Sequence, residues 1–207
     1  MKIASCKVNL EPMNESLFTK FSRRRFLSAS GLSAAAVILP FKANAQSNYG
    51  IRGRVAPELE VDHWIDADGK PTTFNLSAHK GKWVFLKCWQ SWCPGCHSHG
   101  FPALKTISDA FVSNPKIAIA GIQTVFEGFG VNTVDKLRDI QLQYDLQIPM
   151  GHDAGDTNGD RHPSTMRNYR TGGTPWMILI DPEGMVVFNG FNINSDRAIE
   201  FLAKQTA

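Results

Sequence analysis

Lys82-Trp-Val-Phe-Leu-Lys-Cys-Trp89 runs directly into Gln90-Ser91-Trp92-Cys93-Pro94-Gly95-Cys96. The first eight residues follow Gly81 and form a short apolar run, which reads as a buried strand. From Pro94 onward, Phe101, Leu104, Ile107 and Phe111 recur at helical spacing, with Pro102 as an expected kink. The chain is thus predicted to turn from strand to helix at Cys93. A cysteine at a helix start meets unpaired backbone N–H groups and the positive end of the helix dipole, and both favour its thiolate. A second cysteine three residues on lies about one turn inward and can close a disulfide. Attack by the first thiolate on a substrate disulfide gives a mixed disulfide, which the second thiol resolves. Cys93 is the expected nucleophile and Cys96 the expected resolver.

The rest of the chain supplies a sheet around this junction. Lys116–Gln123 reads as a second buried strand. Thr133 is placed to cap a helix carrying Val134, Leu137, Ile140 and Leu142. Ser164–Tyr169 reads as a short helical segment. Trp176–Ile180 and Met185–Phe188 are strands joined by Asp181-Pro182-Glu183-Gly184, a strong turn signal. Ser195 is placed to cap a last helix through Ile199 and Leu202. Near the start, Glu60–Ile65 alternates like a strand, and Asp68-Gly69 turns the chain toward Thr72-Thr73-Phe74, which predicts a hairpin. The order predicts an α/β fold: a central mixed β-sheet flanked by helices, with an added N-terminal β-hairpin.

Of the 207 residues, 43% are hydrophobic and 20% charged, which fits one domain of ordinary size. The net charge of +3 is misleading if read globally. Residues 1–45 hold seven Lys or Arg and two acids, while the remainder holds 15 basic and 17 acidic side chains. The body is slightly acidic, so nothing points to nucleic acid. The leader reads Ser22-Arg23-Arg24-Arg25-Phe26-Leu27-Ser28, then an apolar stretch to Leu39-Pro40, then Ala43-Asn44-Ala45. A charged region, a short apolar region and a small-residue cleavage site make an export signal. The apolar run is too short for an ordinary membrane span; an uncleaved anchor is the alternative reading. Ser-Arg-Arg-x-Phe-Leu resembles the bacterial twin-arginine signal. The reading divides the chain into a signal peptide (1–45), a linker (46–56) and one domain (57–207), with no stable membrane span after cleavage. The expected compartment is the periplasm, where disulfides persist. Cys6 leaves with the leader; Cys88, Cys93 and Cys96 remain, and an odd count with one close pair suits a redox site.

A second motif completes the picture: Gly172-Gly173-Thr174-Pro175-Trp176, just before a predicted strand. Strand, Trp-Cys-x-x-Cys, helix, Thr-Pro about 80 residues later, then hairpin and helix resemble thioredoxin. The sequence is more closely similar to the exported TlpA/ResA-like branch, through its N-terminal hairpin, the insertion before the proline and the Ile180-Asp181-Pro182-Glu183-Gly184 turn. The similarity covers roughly residues 56–207. It implies a thioredoxin-like fold and a thiol–disulfide oxidoreductase acting on protein thiols and disulfides. It also implies a cis bond before Pro175, with Thr174 and Pro175 contacting substrate backbone. Trp92 and Trp176 are expected to form an apolar rim, and Trp89 to be core. The resemblance further implies a bias toward reduction, with electrons from a membrane-bound donor. No cofactor beyond the Cys93–Cys96 disulfide, and no metal, is implied.

The departures from the family pattern concern proton handling. Thioredoxins carry a buried acid six residues before the first cysteine; here the residue is Lys87. If buried, a lysine lowers its own pKa or favours a nearby thiolate; otherwise it snorkels to solvent. Relatives often have Glu three residues after the second cysteine; here it is His99. The stretch Cys96–Pro102 is one residue longer than in thioredoxin. The candidates for proton transfer are Lys87, His97, His99 and Glu127; each of the last three also reads as an ordinary surface residue. Cys88 reads as a small core residue.

Three rival readings use the same residues. Cys93-Pro94-Gly95-Cys96-His97 fits the c-type haem attachment pattern, which leaves the strand and the Thr-Pro without a role. Cys93, Cys96, His97 and His99 offer soft and borderline ligands for a copper-binding metallochaperone. A peroxiredoxin-like peroxidase would need Thr three residues before its reactive cysteine, where this chain has Gln90.

Overall fold

The computed structural model describes residues 49–156 and 161–207; the leader and its cleavage site lie outside them. The expected hairpin is present as β1 (His63–Ile65) and β2 (Pro71–Thr72). Its turn is built by Asp66, whose carboxylate accepts the backbone N–H groups of Asp68 and Lys70 at 2.9 and 2.8 Å. A short 3₁₀ turn, Leu76–His79, capped by the Asn75 side chain, leads into β3 (Trp83–Trp89). All seven residues of β3 are buried. A π turn, Cys96–Gly100, continues into α1 (Phe101–Phe111). Then follow β4 (Ile117–Val125), α2 (Lys136–Tyr144), β5 (Met150–Ala154), α3 (Ser164–Tyr169), β6 (Trp176–Ile180), β7 (Val186–Gly190) and α4 (Ser195–Thr206).

The strands form one sheet in the order β2-β1-β5-β4-β3-β6-β7. β3, β4 and β5 are parallel, β6 and β7 return antiparallel, and the N-terminal hairpin adds antiparallel to the outer side of β5. This is the expected mixed sheet. β3 lies deep within it: all seven residues are in register with β4, and Val84–Cys88 are in register with β6 as well.

Alternation along β3 divides the core. Trp83, Phe85 and Trp89 face an apolar layer with Phe101, Leu104 and Ile107 of α1, Leu137 of α2 and Leu202 of α4. Val84, Leu86 and Cys88 face the other layer, with Trp64, Phe74, Tyr169, Trp176 and Ile178.

Several local readings need correction. β5 is an additional strand: Met-Gly-His-Asp-Ala has little intrinsic strand preference and is fixed by its neighbours β1 and β4. The last helix is capped by Asn194, not Ser195, with the Asn194 side chain accepting from Arg197 N–H at 2.9 Å. α2 begins after Thr133 and buries Leu137, Ile140 and Gln141, whereas Leu142 is exposed. The described part of the linker is packed against the domain. Gly53 and Ala56 donate backbone hydrogen bonds to Val186 and Gly184, and Ile51 is buried.

Candidate active site

The loop Gln90–Cys93 turns the chain off the end of β3. Cys93 N–H donates to the Gln90 carbonyl at 3.2 Å. The helix begins immediately, with Pro94 in its first turn, where its missing N–H costs nothing. Cys93 therefore stands where a helix cap stands. Its Sγ accepts the backbone N–H of Cys96 at 3.2 Å, as a Ser or Asp cap accepts through oxygen. An N–H aimed at the sulfur stabilises negative charge there. Cys93 is 6% exposed, whereas Cys96 is fully buried behind it, and both are free thiols.

The extra residue between Cys96 and Pro102 is accommodated as the π turn. Phe101 N–H donates to the Cys96 carbonyl five residues back. The peptide bond Thr174–Pro175 is cis, as the resemblance implied. The Thr174 carbonyl accepts from the Cys93 thiol at 3.4 Å. Pro175 lies on the helix start at two glycines. A Cβ on Gly95 would come within 3.2 Å of the proline ring, and one on Gly100 within 3.0 Å. The Pro-Gly order of the dipeptide thus places the residue without a side chain under the proline.

Trp92 is 46% exposed beside the pair, as a rim residue must be. Trp176 is not part of that rim. Opposite Cys88 in the β3–β6 register, it faces the other layer, is 2% exposed, and donates its indole N–H to the Asn189 side chain. Phe191 packs edge-on to Trp176 with centroids 4.6 Å apart and lies 3.5 Å from where a Gly173 Cβ would be. At 43% exposure it provides the apolar surface on that side of Thr174.

The proton-transfer candidates separate clearly. His99 and Glu127 are exposed, and the His99 ring pairs with the Ser98 hydroxyl. Neither is brought to the cysteines. His97 has a positional role: its Nε2 donates to the Ser91 carbonyl at 2.6 Å, and its Nδ1 shares a hydrogen bond with the Tyr144 hydroxyl at 2.6 Å. It ties the helix to the active-site loop and to α2. Lys87 is different. It is fully buried rather than snorkelling, with its Nζ 4.2 Å from the centre of the Phe101 ring. Burial pushes the Cys96 thiol up to about 11, against the opposing pull of the Lys87 charge. Burial also lowers the Lys87 pKa, which the nearby thiols, Cys96 foremost, partly offset.

Asn132 escapes sequence reasoning. It is buried in the insertion after β4, where its carbonyl accepts from Ser91 N–H at 2.7 Å and Ser91 OH at 2.9 Å. Its amide donates to the Glu127 and Gly128 carbonyls at 3.1 Å. One side chain pins the insertion to the loop that carries Cys93. A lone Asn in a loop reads as a turn residue, so no local signal marks it.

Comparison with known proteins agrees with this geometry. The AhpC/TSA family model matches residues 52–189. The chain belongs to the AhpC/TSA family. Among curated members it is similar to the thiol-disulfide oxidoreductase ResA of Oceanobacillus iheyensis, 26% identical over 172 residues and 81% of each chain. It is also 28% identical to ResA of Bacillus cereus, over 65% of this chain and 66% of that one. A solved thioredoxin-like superfamily protein is 31% identical with a TM-score of 0.63, covering 72% of this chain and 94% of that one. A thiol-disulfide isomerase from Corynebacterium glutamicum is 27% identical with a TM-score of 0.64, covering 75% and 97%. The expected enzyme class, thiol–disulfide oxidoreductase, is the class of these relatives, and the thioredoxin-like fold is shared.

Two rival arrangements are not assembled. Both ring nitrogens of His97 are engaged and His99 points to solvent, so Cys93, Cys96, His97 and His99 do not converge; among the described residues no three metal-ligating side chains do. Gln90, at the position where a peroxidase needs Thr, is buried with its amide donating to the Thr124 carbonyl at 2.9 Å.

Proposed function

We propose that this AhpC/TSA protein is a periplasmic thiol–disulfide oxidoreductase that reduces disulfides of exported proteins through Cys93 and Cys96. Its export signal is of the twin-arginine type, and a membrane-bound donor returns it to the dithiol form. The observation that carries the reading is the placement of Cys93 Sγ. It caps a helix at the Cys96 N–H, lies 3.4 Å from the Thr174 carbonyl, and occupies the solvent edge of an otherwise buried pair.

The Cys93 thiolate attacks one sulfur of a substrate disulfide; the substrate S–S bond breaks, its other sulfur leaves as a thiolate, and Cys93 is joined to the first in a mixed disulfide. Thr174 and Pro175 hold the substrate backbone alongside, and Trp92 covers its apolar flank. Cys96 then attacks Cys93 Sγ, the substrate leaves as a thiolate, and the protein retains the disulfide. Two electrons pass from the dithiol to the substrate.

Equilibration of the pair with glutathione tests the direction. A potential near the thioredoxin end, roughly −270 mV, is expected, and one near −120 mV would make the protein an oxidant instead. Cys93→Ser removes the nucleophile and should abolish disulfide exchange. Undiminished exchange in that variant would overturn the assignment.

A further inference from the structure

Lys87 is a buried cationic side chain with no anion beside it. It is fully buried in β3, and no hydrogen-bond partner reaches its Nζ among the described residues. A Cβ on Gly100 would lie 2.8 Å from that nitrogen, so the amine presses on the backbone of the π turn that starts at Cys96. Its register partners, Gly121 on β4 and Met177 on β6, do not titrate. From the helix the Phe101 ring lies 4.2 Å from its Nζ and the Cys96 thiol acts on its charge without a direct hydrogen bond; Tyr144 and His97 reach this neighbourhood through Phe101, against which both pack. The groups that act on its charge are the thiols of Cys96, Cys88 and Cys93, in that order, and no carboxylate.

A lone ammonium in such a place loses its solvation, and the Phe101 ring below it offsets only part of that loss. A neutral amine beside a neutral thiol is therefore tolerable, and so is an ammonium beside a thiolate. An ammonium beside a thiol is not. Cys88 cannot supply that thiolate, because burial and then the Asp153 charge hold its thiol far above the ordinary range. Cys96 can.

We propose that Lys87 takes up the proton of Cys96 during resolution, so that amine and resolving thiol ionise together. The inference rests on Cys93 and Cys96 being the exchange pair. In the mixed disulfide, the proton leaves Cys96 Sγ and is held on Lys87 Nζ. The Cys96 thiolate attacks Cys93 Sγ, the bond from Cys93 to the substrate sulfur breaks, and the electron pair departs with the substrate thiolate. The new disulfide carries no charge, so the ammonium loses its partner and releases the proton to the departing thiolate or to solvent. Lys87 acts through Cys96 and is a positioning residue for charge. It serves with a cation where other thioredoxin-like proteins use an acid.

Stopped-flow reaction of the dithiol protein with dithiobis(nitrobenzoic acid) separates the steps, because Cys93 attack and Cys96 resolution each release one coloured thiolate. Lys87→Met should leave the first phase unchanged. It should slow the second at least tenfold near neutral pH and move its pH profile up by about one unit, since tenfold in thiolate population is one unit. A second phase with the wild-type rate and profile would overturn the inference, whereas loss of the first phase in the wild-type protein would overturn the exchange reading itself. If Lys87→Met does not fold, NMR titration of the Lys87 side chain in the full wild-type chain decides. Its midpoint must differ between the dithiol and disulfide forms; the same midpoint in both would refute the coupling.

Discussion

The two faces of β3 diverge at adjacent residues. Lys87 and Cys88 are both fully buried in the same strand, and each faces a different layer. On the Lys87 side the buried polar atom has no hydrogen bond, and three thiols bear on its charge: Cys96, then Cys88 from the opposite layer, then Cys93, which alone of the three is not fully buried. On the Cys88 side the principal charges are closed off. Asp153 accepts from Ser164 N–H, Ser164 OH and Thr165 N–H at 3.0, 3.1 and 2.7 Å, and Tyr169 OH donates to the Pro57 carbonyl at 2.5 Å. Under the proposed exchange role of Cys93 and Cys96, the two faces differ in a helix N-terminus that holds the sulfur, an edge open to solvent, and a neighbouring amine able to gain and lose charge.

The comparison breaks most sharply at the resolving position. Cys96→Ser leaves Cys93 able to attack but unable to be released from the mixed disulfide. Turnover should fall to background while a covalent adduct with substrate accumulates on non-reducing gels. If adducts fail to accumulate, Cys96 is not the resolver. Gly100→Ala comes next. Its methyl group would meet Lys87 Nζ at 2.8 Å and Pro175 Cβ at 3.0 Å, so the two must separate. Overpacking of this kind costs about 1–3 kcal/mol, and the exchange rate should drop with it. Retained stability with slowed exchange would show that the contact serves alignment alone.

Much of this contrast was legible in the chain, and the illegible part has physical causes. The strand of β3, the Cys93–Cys96 junction and the Thr174–Pro175 pair are local patterns, each specified by residues adjacent in sequence. β5 was invisible because Gly151, His152 and Asp153 carry no strand signal of their own and take their shape from two neighbouring strands. The rim assigned to Trp176 failed on parity. Its register places it opposite Cys88, and a one-residue step along a strand changes face. The depth of Lys87 was beyond local reading altogether. Its sequence neighbourhood allows snorkelling, and only pairing of β3 on both sides removes the route to solvent. Asn132 is the same case among loops, since its partner Ser91 lies 41 residues away.

On the closed face, Asp153→Ala should act on stability without touching chemistry. It removes an acceptor from three donors at the start of α3. Charged hydrogen bonds of this sort place the loss at about 2–3 kcal/mol, read as a lower urea midpoint. The reduction potential and both phases of disulfide exchange should stay at wild-type values. A shifted potential would mean that Asp153 is felt across the sheet.

The smallest effect is expected at Cys88, and it is the strictest test of the contrast. The thiol is fully buried, and burial followed by the Asp153 charge keeps it protonated, so it offers neither a nucleophile nor a counter-ion. Cys88→Ala removes one sulfur from a packed layer and leaves a small cavity, at about 1 kcal/mol. Cys88→Ser keeps the volume but buries a hydroxyl in apolar surroundings, at about 1–3 kcal/mol if it finds no partner. Serine should therefore be the more destabilising change, although it is closer in shape. Neither variant should alter the rate of exchange or the pH profile of resolution. If Cys88→Ala shifts that profile, the Cys88 thiol contributes to the charge balance at Lys87. The two faces of β3 would then be electrostatically one site.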